Sequence, residues 1–577
     1  MIWSYLKKYR KRIIFGTTIK LLFGTVTELF LPYLLAGLLD NVVPARNIKM
    51  IYIYGGLMML AAITCWLANI FANRLSSWTS AQVIEKMRKD LFSHIMFLSV
   101  KQIDDFTVPS LESRITSDTY NVHRFITIVQ RAGVRAPMLF LGGIFFCFIQ
   151  NIKLALILVI LLPPIIFVLF RFSKTSFPLF KNVQHKLDCM TRIVRENISG
   201  IRIIRVMNRT DSEKIRFKES SDEVSKAEEK AVLFTAKTNP LINLILYFGI
   251  TLVILAGAFM VNSGEISSGI IISFLSYFMQ ITNSLLTLNR IFLIYNKAAS
   301  SAARIEKVLK TQNKIHNNEI KTFRGIDEHA ETIIEFKNVN FSYNLYGGKN
   351  TLSDISFSIK TGETIGIIGA TGSGKSTILK LLLGLYDSYS GGIYWHGQKL
   401  CPPIIAEMRD KVSVVFQNDF LYSASILENI TFGEKFCNSK IEQAIQTAQA
   451  ADFINKKGGL AYKPATKASD LSGGQKQRLL ISRALLREPE LLIFDDATSA
   501  LDYETDAKFR RALMEYLENK KTAMIIAAQR ISSIKNADKI IVLQNGKIIH
   551  SGTHNQLLSE CSVYSEIYKN QMGSFNI

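Results

Sequence analysis

The chain has 577 residues, long enough for two or more domains. It carries 69 basic and 47 acidic residues, a net charge of +22, yet 48% of it is hydrophobic, only 20% is charged, and the mean hydropathy is +0.18. This pairing excludes a disordered chain, which needs low hydrophobicity, and a nucleic-acid binder, for which the apolar excess has no use. A membrane protein with basic cytoplasmic loops accounts for both halves. The 6 cysteines are Cys65, Cys147, Cys189, Cys401, Cys437 and Cys561. None lies at metal-ligand spacing from another and no disulfide framework emerges, so they read as reduced or membrane-buried core residues.

The apolar residues gather before about residue 300, in about six runs long enough to cross a bilayer, which takes roughly 20 residues per helix. The runs cover approximately 13–39, 51–73, 128–150, 153–172, 241–262 and 269–295. Lys7, Lys8, Arg10, Lys11 and Arg12 precede the first. That flank and the length of the run are wrong for a cleaved signal peptide, and the positive-inside rule places the N-terminus in the cytoplasm. Two long polar stretches, about 74–127 and 173–240, then face the same side. Both are basic, poor in Pro and helical in pattern, so the spacing predicts membrane helices that continue far beyond the bilayer and return. An unstructured loop of roughly 50 residues would be unusual.

Several polar groups interrupt the apolar runs. Glu28 sits four residues before Pro32 in the first. An intramembrane carboxylate faces a cavity or a partner. It reads either as a cation or substrate contact or as a structural hydrogen bond to a neighbouring helix. Arg131 and Arg135 open the third run, where snorkelling to the near interface can accommodate them. Asn239-Pro240 opens the fifth, and Gln280, Asn283 and Asn289 punctuate the sixth, as a polar pathway or as packing glue.

From about residue 310 the composition changes. A polar linker over 311–332 leads into β-type alternation from Ile333 to Tyr343. The apolar strand Thr364–Ile368 then runs into Gly369-Ala370-Thr371-Gly372-Ser373-Gly374-Lys375-Ser376-Thr377 and a helical Ile378-Leu379-Lys380-Leu381. This is G-x-x-x-x-G-K-[ST] in its strand–loop–helix context. The glycines let backbone N–H groups turn inward around phosphates, and the helix start adds its partial positive charge. Lys375 would reach the β- and γ-phosphates of ATP, and the Ser376 hydroxyl would bind Mg²⁺. A second apolar strand, Leu491–Phe494, ends in Asp495-Asp496; a carboxylate there, next to a P-loop, is the expected Mg²⁺ partner. Between them Leu471-Ser472-Gly473-Gly474-Gln475 opens a helix as another anion site.

In this order the motifs resemble those of the ATP-binding cassette (ABC) transporters, in particular half-size exporters with the membrane domain fused ahead of the ATPase domain. The resemblance covers nearly the whole chain. It implies a six-helix membrane domain over 1–310, the linker over 311–332, and an α/β P-loop ATPase domain over 333–577. It also implies that Tyr343 stacks on adenine and that Gln417 touches Mg²⁺ and faces the membrane domain. It further implies that Ser472, Gly473, Gly474 and Gln475 form the signature closing on the opposite subunit's ATP, and that Ser499–Asp502 crosses between subunits. Coupling helices are expected near Thr107–Asn121 and Glu196–Asn208.

Two departures from the family pattern bear on catalysis. The position of the family's general base, a glutamate after the Mg²⁺ aspartate, holds Asp496, and the position of its γ-phosphate histidine holds Gln529. Aspartate reaches about 1.3 Å less than glutamate; glutamine can donate to phosphate but cannot become a cation. Such a site should bind ATP and hydrolyse it slowly. The segment Lys463–Asp470 also lacks the family's usual Glu-Arg-Gly. The expectation is therefore an ATP-driven exporter subunit in the cell membrane, its N-terminus and ATPase domain cytoplasmic, working with a catalytically complete second half-transporter. Homodimeric export and a nucleotide-gated channel or regulatory subunit are the alternatives. The exported substrate is left open among drugs, lipids and peptides.

Overall fold

The computed structural model describes residues 1–311, 331–343, 350–417, 419–465, 468–518 and 520–572, less the side chains of Ser173, Asn239 and Met572. Most of the expected linker, the side chain of Asn239, and Thr466 and Lys467 ahead of the signature therefore lie outside the described residues. The chain divides into two compact units, one of Met1–Met96 with Val108–Thr311, the other of Phe97–Thr107 with Gln312–Ile577.

The first unit contains six helices long and apolar enough to cross a membrane: α1 (Arg10–Val42), α2 (Ile48–Met96), α4 (Val108–Gln150), α5 (Ile152–Ser199), α7 (Thr210–Asn262) and α8 (Ser268–Leu309). All six expected runs fall inside them. The 49 residues of α2 give about 73 Å at 1.5 Å per residue, more than twice the ~30 Å hydrocarbon core. The polar stretches are thus helical extensions, as their sequence pattern predicts. The core of the unit joins α1, α4, α5, α7 and α8 through Leu29, Leu139, Leu158, Val253, Phe278 and Ile281. Gly142 and Gly143 permit this packing. A Cβ on the first would collide with Leu29 and one on the second would lie 2.8 Å from Ile281. Tyr277 donates its buried hydroxyl to the Leu29 carbonyl at 2.6 Å, satisfying the polar tip of a large ring. Asp118 is buried on the extension of α4 and is held by the Arg304 guanidinium of α8.

The short helix α3 (Val100–Phe106) starts at a capping box made by Ser99 and Gln102. It groups with the second unit, where the Asp104 carboxylate accepts from the Tyr386 hydroxyl at 2.9 Å. The first coupling helix was expected over Thr107–Asn121; the turn comes earlier, because α2 ends at Met96 and Thr107, at φ +63°, breaks the chain before α4. At the second tip, α6 (Ile201–Val206) lies within the expected Glu196–Asn208.

The second unit holds two sheets. β1 (Thr332–Phe341), β2 (Leu352–Lys360), β4 (Tyr389–Trp395) and β5 (Gln398–Lys399) form an antiparallel sheet in the order β2-β1-β4-β5. β3 (Thr364–Ile368), β6 (Val412–Val415), β7 (Leu491–Asp495), β8 (Ala523–Ala528), β9 (Lys539–Gln544) and β10 (Lys547–Gly552) form the other, in the order β10-β9-β3-β8-β7-β6. All its pairs are parallel except β9–β10. Burial on both faces explains the continuous apolar runs of β3, β7 and β8.

Candidate functional site: a P-loop facing three strand ends

Strand register builds the site. Ile368, the last residue of β3, pairs with Ala528 of β8, and Asp495, the last of β7, pairs with Ala527. Val415 ends β6 opposite Phe494. The P-loop, Gln417, Asp495-Asp496 and Gln529 therefore all leave the carboxyl edge of one parallel sheet, the usual place for a ligand in an open α/β fold.

The loop itself needs its glycines. Gly372 and Gly374 adopt φ +82° and +109°, where a side chain is strained. A Cβ on Gly374 would lie 2.6 Å from Leu352, and one on Gly369 would collide with the Leu543 carbonyl oxygen. Helix α9 (Lys375–Leu382) begins immediately after. Lys375 is buried and donates to the Gly369 and Ala370 carbonyl oxygens at 2.6 and 3.1 Å. Burial holds its ammonium below the ordinary lysine range, and Asp496 and Asp495 oppose that shift. The cation thus folds over the loop whose N–H groups and helix start can bind phosphate.

Ser376 donates from Oγ to Asp495 at 2.9 Å. Burial raises the Asp495 carboxyl above the ordinary aspartate range, the Ser376 bond opposes, and the neighbouring Asp496 charge adds to the rise. The Asp496 Oδ2 accepts from the side-chain amides of Gln417 and Gln529, each at 3.3 Å. Ser376, Gln417 and Asp495 offer a hydroxyl, an amide and a carboxylate oxygen, a donor set that suits Mg²⁺. Asp496 itself sits at φ +51°, a region that aspartate tolerates, with its N–H bonded to the Ala527 carbonyl at 2.8 Å.

Tyr343 is 44% exposed; its hydroxyl meets the Thr377 hydroxyl at 3.2 Å and its ring stands edge-on to Phe341 and Tyr386. The ring therefore flanks the P-loop helix, as an adenine platform would. Ser472 caps α10 (Gly473–Leu486) through a reciprocal box with Gln475. Gly474 lies so close to the Ser499–Asp502 segment that a Cβ would sit 3.1 Å from the Ala500 carbonyl oxygen. Among the described residues the hydrogen bonds of Ser472–Gln475 are local, and Ser472 and Gly473 are exposed. Sequence reasoning missed Gln571. Its amide donates to the Gln529 backbone carbonyl at 2.7 Å and its oxygen accepts from Ile531 N–H at 2.8 Å, so the helix Ser562–Met572 holds the backbone on either side of Arg530. No local pattern signals a contact across 42 residues.

Six membrane-length helices fused to a P-loop ATPase domain, with the start of α10 exposed at Ser472 and Gly473, define a half-size exporter of the ATP-binding cassette class. The family model for the ABC transporter transmembrane region matches residues 14–285, and the model described as ABC transporter matches 352–499. The chain is 32% identical over 576 residues to the uncharacterized ABC transporter ATP-binding protein YfiB of Bacillus subtilis, covering 99% of this chain and 98% of that one. It is 29% identical over 581 residues to the ATP-dependent lipid A-core flippase of Escherichia coli K12, covering 99% and 97%. A solved bacterial Atm1-family ABC exporter with ATP bound shares the fold at a TM-score of 0.81 and 20% identity, covering 98% of this chain and 99% of that one. The chain belongs to the ABC transporters: it is an ATP-binding, multi-pass exporter whose ATPase is coupled to transport, and half-transporters of this class dimerise.

Proposed function

We propose that this chain is the slowly hydrolysing subunit of a heterodimeric exporter. One observation carries the proposal: the residues at the base and switch positions, Asp496 and Gln529, meet at a single oxygen, while the P-loop is intact. Tyr343, the loop residues Gly369–Thr377 and Lys375 bind ATP, and Ser376, Gln417 and Asp495 hold Mg²⁺. That ion would neutralise charge on the phosphates. Asp496 orients a water from too far back, and Gln529 donates to the γ-phosphate without supplying a cation. Ser472–Gln475 serve the partner's ATP, and the partner supplies a glutamate and a histidine for its own site. ATP binding draws the ATPase domains together, and the long helical extensions carry that closure to the membrane helices, shifting them between inward-open and outward-open states. The protein lies in the cell membrane with its N-terminus and ATPase domain cytoplasmic. The name of the E. coli relative brings a lipid to this chain as the substrate class.

The test is ATPase activity of the purified chain alone against the same chain co-expressed with its partner. The lone chain should be at least ~10-fold slower, a barrier difference of about 1.4 kcal/mol. A stable homodimer that matches the pair would overturn the asymmetric reading.

A further inference from the structure

The backbone around Gln529 is held by side chains that belong to none of the ATPase motifs. Its strand, β8, lies between β3 and β7, but that pairing stops at Ala528. The chain runs on in extended form through Arg530, at φ −98° and ψ +127°, into a short 3-10 turn at Ile531–Ser533. An extended residue leaves the carbonyl before it and the N–H after it on one edge. The Gln571 side-chain amide takes both groups: it donates to the Gln529 carbonyl at 2.7 Å and accepts from the Ile531 N–H at 2.8 Å. Carrying a donor and an acceptor together, one amide stands in for one residue of a neighbouring strand.

The helix that carries Gln571 is anchored on the same part of the fold. In α12 (Ser562–Met572), Tyr564, Ile567, Tyr568 and Gln571 share one face at three- and four-residue spacing. Tyr564 is buried, and with Ile567 and Tyr568 it packs in the cluster that holds Ala528, Ile531 and Ile534. Its hydroxyl also meets His554 Nδ1 at 2.7 Å. The apolar positions fix the helix, and Gln571 is the next position of their stripe.

Packing does not complete the support. A cavity of about 250 Å³ lies between α11 (Tyr503–Leu517) and β8, lined by Phe509, Leu513, Ile526, Ala528, Ser532 and Ser533 among others. Arg510 of α11, also in the lining, donates to the Ser532 carbonyl and, at 3.3 Å, to the Ser533 hydroxyl. Hydrogen bonds from two helices thus hold a segment that has a void on one side. The tolerance is small. The Gln529 amide reaches Asp496 Oδ2 at 3.3 Å, just beyond the usual range of about 2.7–3.2 Å. A slight drift of the backbone at 529 breaks that contact.

We infer that Gln571 is a positioning residue for ATP hydrolysis, acting through the Gln529 backbone and not on the nucleotide. The inference rests on the reading of Gln529 as the γ-phosphate switch. It holds whether the second ATPase domain belongs to a like or an unlike chain.

The test is phosphate release by the full-length chain in detergent, for Gln571→Leu, Gln529→Ala and the two combined. Gln571→Leu removes donor and acceptor at similar size. Ordinary hydrogen bonds are worth roughly 2- to 10-fold in an equilibrium, so kcat should fall about 5-fold. KM for ATP should stay within about 2-fold, because the P-loop is untouched. Tm should stay within about 2 °C, because Gln571 is exposed. The double variant should be no slower than Gln529→Ala alone, as for two residues that act through one contact. Gln571→Ala gives the same reading where the leucine variant fails to fold. If Gln529→Ala is slow and Gln571→Leu is as fast as the unaltered chain, the brace is refuted and the switch stands. Losses that add in the double variant, or a Gln571→Leu loss that tracks a fall in Tm, show that Gln571 does not act through Gln529. If Gln529→Ala is as fast as the unaltered chain, the switch reading fails and takes the inference with it.

Discussion

Restoring the family's residues, Asp496→Glu with Gln529→His, should raise turnover at this chain's own site. Asp496 Oδ2 is the shared acceptor of the Gln417 and Gln529 amides, each 3.3 Å away, so its position is fixed from two sides. One added methylene extends the reach of the carboxylate by about 1.3 Å. A misplacement near 1 Å can cost about 10²-fold, so the double variant should gain roughly 10- to 100-fold in kcat, about 1.4–2.7 kcal/mol. KM for ATP should change little, because the P-loop contacts are untouched. Stability should move the other way. The backbone at 496 is left-handed, φ +51°, which a short aspartate tolerates better than glutamate. A cost of about 1 kcal/mol lowers Tm by roughly 2–4 °C. The assay is phosphate release by the purified full-length chain without its partner, with Tm from the same preparation. If the unaltered chain already turns over as fast as the restored one, Asp496 is an adequate base and the reasoning fails.

Lys375→Ala should remove ATP photo-labelling of this chain, since the buried cation over the loop is lost; undiminished labelling would contradict the P-loop assignment. Asp495→Asn should abolish Mg²⁺-dependent ATP binding yet raise the Tm of the nucleotide-free protein at neutral pH. The folded-state pKa of Asp495 is raised, chiefly by burial, so its stabilising effect is present below the unfolded value near 3.9 and lost as pH rises through the folded one. The Tm gain should therefore vanish near pH 4, and a Tm loss at pH 7 would refute this assignment of sign. Arg304→Ala should cost about 3 kcal/mol, the lower end for stranding one partner of a buried pair, because Asp118 is only 3% exposed. Asp118→Asn in the same background should recover much of that loss, and two equal melting curves would show that the guanidinium, itself half exposed, adds nothing.

The sequence made the ATPase motifs legible because each is local. The P-loop occupies nine consecutive residues, and Ser472 finds its capping partner three residues on, at Gln475. The six spans were equally plain, since length and hydropathy suffice to mark them. What sequence could not supply was pairing at a distance. Gln417 and Asp496 are 79 residues apart, and Glu28 and Arg135 are 107 apart. Nothing in the spacing joins either pair. The same limit misplaced the turn at the first tip. Its polar residues read like the rest of the extension, and the break rests on the Thr107 backbone and on a cap at Ser99. Arg131 and Arg135 likewise find their partners, Ser77 on α2 and Glu28 on α1, at a distance in sequence.

The division between local and distant contacts bears on how a site of this build could lose catalysis and keep its ligand. Phosphate binding depends on one loop between β3 and α9, where backbone N–H groups, two left-handed glycines and Lys375 act together. A change within that loop disturbs every contact at once. In the proposed reading, turnover depends on side chains just past the ends of three other strands, β6, β7 and β8, which meet at Asp496 Oδ2. Substitution there alters reach and charge without moving the loop, as the sheet register holds each strand end in place. Binding and hydrolysis are thus mechanically separable in this fold. A chain that retains the first and weakens the second can still use ATP binding to bring two ATPase domains together, so long as its partner completes the cycle.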